Sequence, residues 1–301
     1  MPIHRAAVLI TSHNRRELTL ASLSTLFRQR SIGDLETDVF LVDDGCTDGT
    51  GQAVRARFPS VHVLRGDGSL YWNGGMRLAM AVAMKIGFDA YILMNDDTIL
   101  YQDALQRVVF LARERLAGQR PAIVVGSMRS PHTGTQSYGG ITKSRHGIFL
   151  DLRLIQAHPS QPVPCDTMHG NFVLIPAEVV SAVGMLDEHF RHQFADLDYG
   201  LRAKAAGFDV VAIPGYAGDC RHNSAQYTWR DRDLPLCDRW RHLISPKGVP
   251  VREWLLFAHR HFGWRGPVYA CSPYARTLIS GLLPRARRQP RRVLGLEEGS
   301  L

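Results

Sequence analysis

Short apolar runs alternate with longer amphipathic segments through the first part of the chain. The apolar runs cover residues 6–11, 38–43, 61–64, 91–94 and 122–125, and have the length of buried strands. The segments between them, residues 16–28, 47–58, 74–86 and 102–116, carry apolar residues at helical spacing. Strands that alternate with helices in this way form right-handed βαβ units. The sequence therefore predicts an α/β fold with a mostly parallel sheet flanked by helices.

Acidic pairs follow two of the predicted strands. Asp43 and Asp44 come after the second strand, and Asp96 and Asp97 after the fourth, where ligands of such sheets bind. Adjacent carboxylates repel each other unless a cation or a hydrogen-bond donor lies between them. Asp96 and Asp97 suit Mg²⁺ or Mn²⁺, with helix capping as the alternative. Residues 43–50 lie after a strand and before a helix, which indicates a nucleotide site. They lack the glycine pattern of a phosphate-binding loop, so the carboxylates are expected to accept hydrogen bonds from the base or the ribose.

Composition and cysteine usage exclude several classes of protein. The 301 residues are 45% hydrophobic and 21% charged, a globular composition. No apolar run reaches the roughly 20 residues that cross a bilayer, and the amino-terminal residues do not form a signal peptide, so we expect a cytoplasmic protein. The five cysteines form no C-x-x-C pair, which indicates free thiols in a reducing compartment.

The excess positive charge is C-terminal. Residues 1–220 carry 21 Lys and Arg against 22 Asp and Glu, whereas residues 221–292 carry 15 against 4. No nucleic-acid-binding motif accompanies these cations, so we expect an anionic membrane surface as partner and no nucleic acid. We predict a helical Arg-rich extension over residues 224–301, with a flexible tail after about residue 284.

Apolar residues at helical spacing predict two amphipathic helices in this extension. They are Val251, Trp254, Leu255, Ala258 and Phe262 in the first helix, and Tyr274, Leu278, Ile279, Leu282 and Leu283 in the second. Interleaved arginines make them suitable for a lipid headgroup layer, which gives the hypothesis of peripheral attachment to the inner face of the plasma membrane. The alternative is that these helices pack on the rest of the protein, with the arginines facing water.

Five short motifs occur in order along the chain. They are TSHNR at 11–15, VDDGCTDGT at 42–50, NDDT at 95–98, GNFV at 170–173 and FADLDYGLR at 194–202. Together they resemble the motifs of family 2 glycosyltransferases with the GT-A fold, from about residue 5 to about residue 223. The resemblance implies a catalytic domain over residues 1–223, with a donor half to about 126 and an acceptor half from about 127. LYWNGG at 70–75 and NDDT look like bacterial, often rhamnosyltransferase-like, enzymes of surface-glycan synthesis.

The resemblance implies an inverting, metal-assisted transfer from a nucleoside diphosphate sugar to a hydroxyl of a glycan or lipid-linked acceptor. UDP- or dTDP-linked donors are favoured, and Mn²⁺ or Mg²⁺ is the expected cofactor. The Q-x-x-R-W motif of processive synthases is absent from the sequence, so we expect one sugar per encounter. Thr11 and Asp44 would contact base and ribose with support from Asp43. Asn73, in a segment that resembles the loop over the nucleotide and donor sugar, is a further donor-side residue.

The same resemblance assigns the metal and the base. Asp97 would coordinate the metal that bridges the diphosphate, and Asp96 would face the donor sugar or ribose, while Asn95 replaces the first acid of the family's D-x-D motif. Asp196 matches the general base of an acidic Glu-Asp motif whose Glu is Ala195 here.

Three other residues are candidates with competing interpretations. His222 is a candidate metal ligand, although a lone histidine is more often a loop residue. His169 is a candidate contact for the acceptor or the diphosphate. Asp198 is either an acceptor-side residue or the N-cap of a helix over residues 199–206.

Two other functions are consistent with this sequence. The replaced acids at Asn95 and Ala195 would suit a catalytically weak nucleotide-sugar-binding protein of the same fold. A nucleotidyltransferase is less favoured, because residues 12–16 form no glycine- and lysine-rich phosphate-binding loop. Metal-dependent hydrolysis of a sugar donor separates a transferase from both.

Overall fold

The computed structural model describes residues 3–146, 149–222, 226–263 and 266–282. Its strands are β1 (Arg5–Ser12), β2 (Glu36–Asp44), β3 (His62–Gly66), β4 (Ala90–Met94), β5 (Ile99–Leu100), β6 (Ala122–Arg129), β7 (Gln136–Tyr138), β8 (Gly140–His146), β9 (Phe149–Leu154), β10 (Val163–Cys165), β11 (Thr167–Met168), β12 (Phe172–Pro176) and β13 (Asp209–Asp219). Its helices are α1 (Arg16–Leu26), α2 (Thr50–Arg57), α3 (Tyr71–Ile86), α4 (Ala104–Ala117), α5 (Ala177–Val183), α6 (Ala195–Ala205), α7 (Leu236–Ile244), α8 (Val251–Phe262) and α9 (Gly266–Leu282). The strands and helices predicted for the first 125 residues are all present, with ends that differ by up to four residues.

The main sheet has the strand order β10-β13-β6-β12-β4-β1-β2-β3. β1 pairs in parallel with β2 and β4, and β2 with β3, so the carboxyl ends of these four strands share one edge. β12 lies antiparallel between β4 and β6. Its first residue, Phe172, is opposite Met94, the last residue of β4. This insertion places Gly170 and Asn171 beside the acidic pair that follows β4.

Side chains of the central strands alternate between two buried clusters. In β1, Ala6, Val8 and Ile10 pack on one face, and Ala7 and Leu9 on the other. Helices α1, α2 and α4 cover the first face, while α3, α5, α6 and α8 cover the second. Burial on both faces is typical of parallel sheets and explains the nearly continuous apolar runs in the sequence.

The C-terminal helix α8 packs against the rest of the protein. The ring of Phe257, which is fully buried, lies 5.3 Å from that of Phe194 and 6.3 Å from that of Phe190, measured between centroids. Val251 and Leu255, predicted to share a face with packed residues, are instead 48% and 49% exposed. The packing alternative therefore describes one side of α8, and an exposed apolar strip remains on another.

The second predicted amphipathic helix corresponds to α9. Leu278 and Ile279 are exposed on its surface. Leu283 and the arginine-rich tail lie outside the described residues. Within the part of the chain that the structure describes, no helix is both long and apolar enough to cross a membrane.

Candidate active site

A cavity of about 460 Å³ opens at the carboxyl edge of β1, β2 and β4. Six of the ten predicted site residues line it, which brings both halves of the chain to one place. They are Thr11, Asp44, Asp96, Asp97, His169 and Asp196. Asp43, Asn73, Asp198 and His222 are not among its lining residues.

Asp44 organises one wall of this cavity. Its carboxylate accepts backbone N–H bonds from Gly68 at 2.8 Å, from Tyr71 at 3.2 Å and from Leu70 at 3.4 Å. These bonds satisfy amides at the start of α3, which lack partners inside the helix. Helix α3 consequently begins at Tyr71 rather than at residue 74 as predicted, so Tyr71 and Asn73 lie in its first turn and not in a loop.

The backbone around Asp44 approaches itself too closely for side chains. A Cβ added at Gly45 would lie 2.7 Å from the Cα of Gly68, and both glycines have positive φ. A Cβ at Gly75 would clash with the hydroxyl of Thr11. Glycine at these positions allows α3 and its preceding loop to lie directly over the ends of β1 and β2.

Asp43 and Asn73 lie behind the cavity wall. Asp43 accepts the N–H of Cys46 at 3.0 Å and so closes the turn after β2. The buried amide of Asn73 donates to the carbonyl of Asp187 at 2.7 Å and to that of Phe190. Both residues therefore hold backbone that surrounds the cavity, and their direct contact with a donor stays a prediction.

The acidic pair after β4 has a cationic partner that the sequence did not identify. Arg15 donates to Asp96 at 2.9 Å and to Asp97 at 2.6 Å. Burial, together with the neighbouring Asp97, raises the pKa of Asp96 to about 6 although Arg15 opposes the shift. The need of paired acids for a cation, and the position of Arg15 shortly after β1, were the available signals for this contact.

The carboxylate oxygens of Asp96 and Asp97 are suitable ligands for a divalent cation that binds together with a diphosphate. Among the described residues, no three His, Cys, Asp or Glu side chains form a metal-binding group. The Oδ2 atom of Asp96 is nevertheless buried without a hydrogen-bond partner in that part of the chain, and Asp97 lines the same wall. Mg²⁺ and Mn²⁺ often take only one or two carboxylates, with water and substrate phosphates as the other ligands.

His222 and Cys220 lie near this region. The ring of His222 stacks on that of Tyr138, which lines the cavity, with centroids 5.6 Å apart. Cys220 lies 3.5 Å from Asp97, and burial, followed by the nearby Asp97, raises the pKa of its thiol to about 12. A protonated thiol is a poor ligand for Mg²⁺. Ligation by His222 stays a prediction.

Asp196 lines the same cavity and is held there by backbone amides. One carboxylate oxygen accepts the N–H of Gly170 at 2.9 Å, and the other accepts the N–H of Leu197 at 2.8 Å. His169, which precedes Gly170, also lines the cavity, and burial lowers its pKa. Hydrogen bonds to both oxygens fix the orientation of the Asp196 carboxylate while it still faces the cavity.

Two bulky residues at the cavity have left-handed backbone conformations. Tyr71 has φ 55° and Phe194, directly before α6, has φ 71°. Such conformations are costly for non-glycine residues and concentrate at functional sites. The indole N–H of Trp72, next to Tyr71, donates to the side-chain oxygen of Asn95 at 2.7 Å. The side chain of Asn95 therefore already has a hydrogen-bond partner within the protein.

Asp198 is a structural residue in this fold. Its carboxylate is fully buried and accepts bonds from Arg202 at 2.7 Å, Arg260 at 2.7 Å and His261 at 2.8 Å. Burial alone would raise the pKa of Asp198, but these three bonds lower it. Because α6 begins at Ala195, Asp198 is not its N-cap. Its buried side chain is not among those that line the cavity, and a role on the acceptor side stays a prediction.

Two further cavity residues were not identified from the sequence. Lys247, on the turn between α7 and α8, reaches the cavity from the C-terminal extension, and His192 lies near it. Burial, and secondarily Lys247, lowers the pKa of His192 to about 4. The one available signal for Lys247 was that it is the single lysine among the 15 cations of residues 221–292.

Comparison with known proteins identifies the family of this chain. Residues 4–240 match the family described as glycosyltransferase like family 2. The chain is 28% identical over 306 residues to an N-acetylglucosaminyl-diphospho-decaprenol L-rhamnosyltransferase of Mycobacterium tuberculosis, and the alignment covers 94% of each protein.

Two solved structures share the fold at low sequence identity. One is a mannosyltransferase from Pyrobaculum calidifontis in complex with GDP-Man and Mn²⁺, with a TM-score of 0.57, 14% identity, and coverage of 93% of this chain and 73% of that one. The other is residues 1–349 of S. aureus TarS, with a TM-score of 0.53, 12% identity, and coverage of 92% and 78%. The GT-A fold predicted from the sequence motifs is confirmed.

Proposed function

The chain belongs to glycosyltransferase like family 2, and from this premise we propose an inverting, metal-assisted enzyme that transfers one sugar per encounter. The donor is a nucleoside diphosphate sugar, and the acceptor is a hydroxyl of a glycan or lipid-linked saccharide. One observation carries the proposal. The same cavity is lined by the acidic pair Asp96 and Asp97, by its partner Arg15, and by the oriented carboxylate of Asp196.

Asp196 acts as the general base in this proposal. The acceptor hydroxyl gives its proton to the carboxylate as its oxygen bonds to the anomeric carbon, and the bond from that carbon to the diphosphate oxygen breaks on the other side. Attack opposite the leaving group inverts the anomeric centre. Backbone N–H groups on both Asp196 oxygens hold the base in place for this transfer.

The acid pair and Arg15 serve the leaving group. Asp97 would hold Mn²⁺ or Mg²⁺ beside the donor diphosphate, and the ion would supply positive charge for the departing nucleoside diphosphate. Arg15 keeps the two carboxylates together and adds a positive charge at this wall. Asp96, on the same wall of the cavity, faces the donor sugar or ribose in this proposal. Thr11 and Asp44 contact the base and ribose.

The relative suggests the substrates. Its name specifies transfer of L-rhamnose to a diphospho-decaprenol-linked N-acetylglucosamine. We infer a UDP- or dTDP-linked donor, with L-rhamnose first among sugars to test, and a lipid-linked acceptor of bacterial cell-surface polysaccharide synthesis. Attachment to the inner face of the membrane, through the exposed apolar residues of α8 and α9, would bring the enzyme to such an acceptor.

Mutation of the base and the metal-binding acid tests this function. We expect Asp196→Asn to lower turnover by about 10² to 10⁴-fold while nucleotide affinity is kept. Asp97→Ala should abolish the Mn²⁺-dependent rise in melting temperature that UDP, dTDP, GDP or CDP produces in the wild type. Asp103→Asn, on the surface of α4, is the matched control and should change neither property.

The outcomes separate the candidate functions. Near-normal turnover of Asp196→Asn would remove the base assignment. Nucleotide binding with neither sugar transfer nor metal-dependent donor hydrolysis would favour the catalytically weak binding protein that Asn95 and Ala195 suggest. Formation or consumption of pyrophosphate would favour a nucleotidyltransferase.

A further inference from the structure

Lys247 differs from the other charged residues of the cavity. Arg15 is neutralised by Asp96 and Asp97, and Asp196 is bonded to backbone amides. Within the described residues, Lys247 makes no ion pair, although four carboxylates line the same cavity. A cation without a carboxylate partner beside an acidic cavity is available to an anionic ligand.

The turn that carries Lys247 is tightly built. The N–H of Gly248 donates to the carbonyl of Ser245 at 2.9 Å, and a Cβ at Gly248 would clash with carbonyls at the end of α7. The hydroxyl of Tyr274, on α9, donates to the carbonyl of Val249 at 2.8 Å. The backbone of Lys247 is therefore fixed on both sides, while its four-carbon side chain can still adjust.

Contacts of this turn place Lys247 beside the segment that leads to Asp196. The carbonyl of Lys247 accepts a bond from the side chain of Gln193 at 3.1 Å, and Gln193 is three residues before Asp196. His192, adjacent to Gln193, has its Nδ1 atom buried without a hydrogen-bond partner in the described residues, and its ring lies 6.2 Å from that of Tyr71. Lys247 and His192 thus border the segment that leads into the proposed base.

An apolar strip begins directly after this turn. Val251 is the first residue of α8, and Leu255 lies one helical turn further along the same face; both are about half exposed. If an anionic group bound at Lys247 is attached to a hydrocarbon chain, the chain can pack along Val251 and Leu255. Neither residue is needed in the packing of α8 against Phe190 and Phe194.

We propose that Lys247 and His192 form an anion subsite for the phosphate or diphosphate that links the acceptor sugar to its lipid, with the lipid chain lying over Val251 and Leu255. This inference rests on the proposed function. In a lipid-linked acceptor, the hydroxyl that reaches Asp196 and the phosphate that joins the sugar to its lipid are on different carbons of the same sugar, so the phosphate needs a binding site of its own. Lysine is a common binder of phosphate, as a point charge that tolerates several geometries.

Calorimetric titration with geranyl diphosphate tests the subsite on the full-length protein. Saturating Mn²⁺ and the nucleoside diphosphate that gives the largest thermal shift first fill the donor site, so that the probe's diphosphate cannot bind there. We expect Lys247→Gln to weaken binding of geranyl diphosphate about tenfold, the typical effect of one charge-assisted contact, and Lys247→Arg to restore most of it. Leu255→Asn should weaken the same probe and leave inorganic pyrophosphate unaffected.

Lys85→Gln is the matched control. Lys85 is exposed in the last turn of α3, about 20 Å along the helix from its cavity end, and its loss should change no binding constant. Unaltered binding of geranyl diphosphate to Lys247→Gln would overturn the subsite. Weaker nucleotide binding by that variant would place Lys247 on the donor instead, and inorganic pyrophosphate binding as tightly as geranyl diphosphate would assign a free anion.

Failure of the proposed function gives a different result. In that case no nucleoside diphosphate shifts the melting temperature of the wild type with Mn²⁺, and the geranyl diphosphate titration is run on the protein with an empty donor site. Loss of probe binding in Lys247→Gln would then still support the anion subsite, and equal binding would still overturn it.

Discussion

The buried carboxylate of Asp198 offers a sharp test of how α6 and α8 are held together. In Asp198→Asn, the charge that accepts bonds from Arg202, Arg260 and His261 is removed, and these groups are left partly buried beside a neutral amide. Removal of one partner from a buried ion pair typically costs about 3–5 kcal/mol. Arg260 keeps its 2.7 Å contact with Asp187, and Arg202 keeps two backbone carbonyls, so we expect the lower end, about 3 kcal/mol.

Thermal unfolding converts this cost into a measurable shift. With an unfolding entropy of about 2.1 cal/mol/K per residue, a chain of 301 residues has about 0.6 kcal/mol/K, so 3 kcal/mol lowers Tm by about 5 °C. Asp103→Asn is the matched control, because Asp103 and Arg107 form an ion pair with the same (i, i+4) spacing on the surface of α4. A partly exposed helical pair of this kind contributes about 0.3–0.5 kcal/mol, a shift below about 1 °C.

The comparison between the two variants decides the role of Asp198. Equal Tm values for Asp198→Asn and Asp103→Asn would refute the structural role derived from burial. A normal Tm with a raised KM for the acceptor would return Asp198 to the acceptor side of the site.

Two further predictions concern acid stability and membrane attachment. Hydrogen bonds from His189 and Arg260 outweigh burial and lower the pKa of Asp187 to about 2, so its contribution to stability is full above its unfolded pKa, about 4, and is lost as pH falls towards 2. Urea midpoints at pH 5, 4 and 3 should therefore fall less steeply for Asp187→Asn than for the wild type, and parallel curves would contradict this reasoning. In flotation with anionic vesicles, the double variant Leu278→Glu and Ile279→Glu should lower partitioning at least about tenfold, because both side chains are exposed on α9; unchanged flotation would exclude this face as the membrane contact.

The sequence alone determined the strands and helices of the first 125 residues. Whether a segment forms a strand or a helix depends largely on the spacing of its own apolar residues, so the order of these patterns predicted β1–β4, β6 and α1–α4. The acidic pairs fall at strand ends for the same local reason. Because ligands of such sheets bind at the carboxyl edge, the position of Asp44, Asp96 and Asp97 directly after their strands predicted that they lie where a ligand binds, and all three line the cavity.

Tertiary structure decided which of the predicted site residues meet in the cavity. Asp43 and Asn73 have suitable side chains, yet their bonds go to the surrounding backbone. Asp198 is two residues from Asp196, but the turn of α6 directs it into the protein, where two of its three partners come from 62 and 63 residues away. Sequence spacing cannot show such bonds, because they depend on where α8 packs.

The tertiary structure alone also decided which basic side chains reach the cavity. Arg15 reaches Asp96 and Asp97 because β1 and β4 are neighbours in the sheet, although 81 and 82 residues separate them in sequence. Lys247 reaches the cavity because α8 packs on Phe190 and Phe194, before α6, and the turn before α8 contacts Gln193. Local propensity fixes the elements, whereas strand order and helix packing fix which side chains become neighbours.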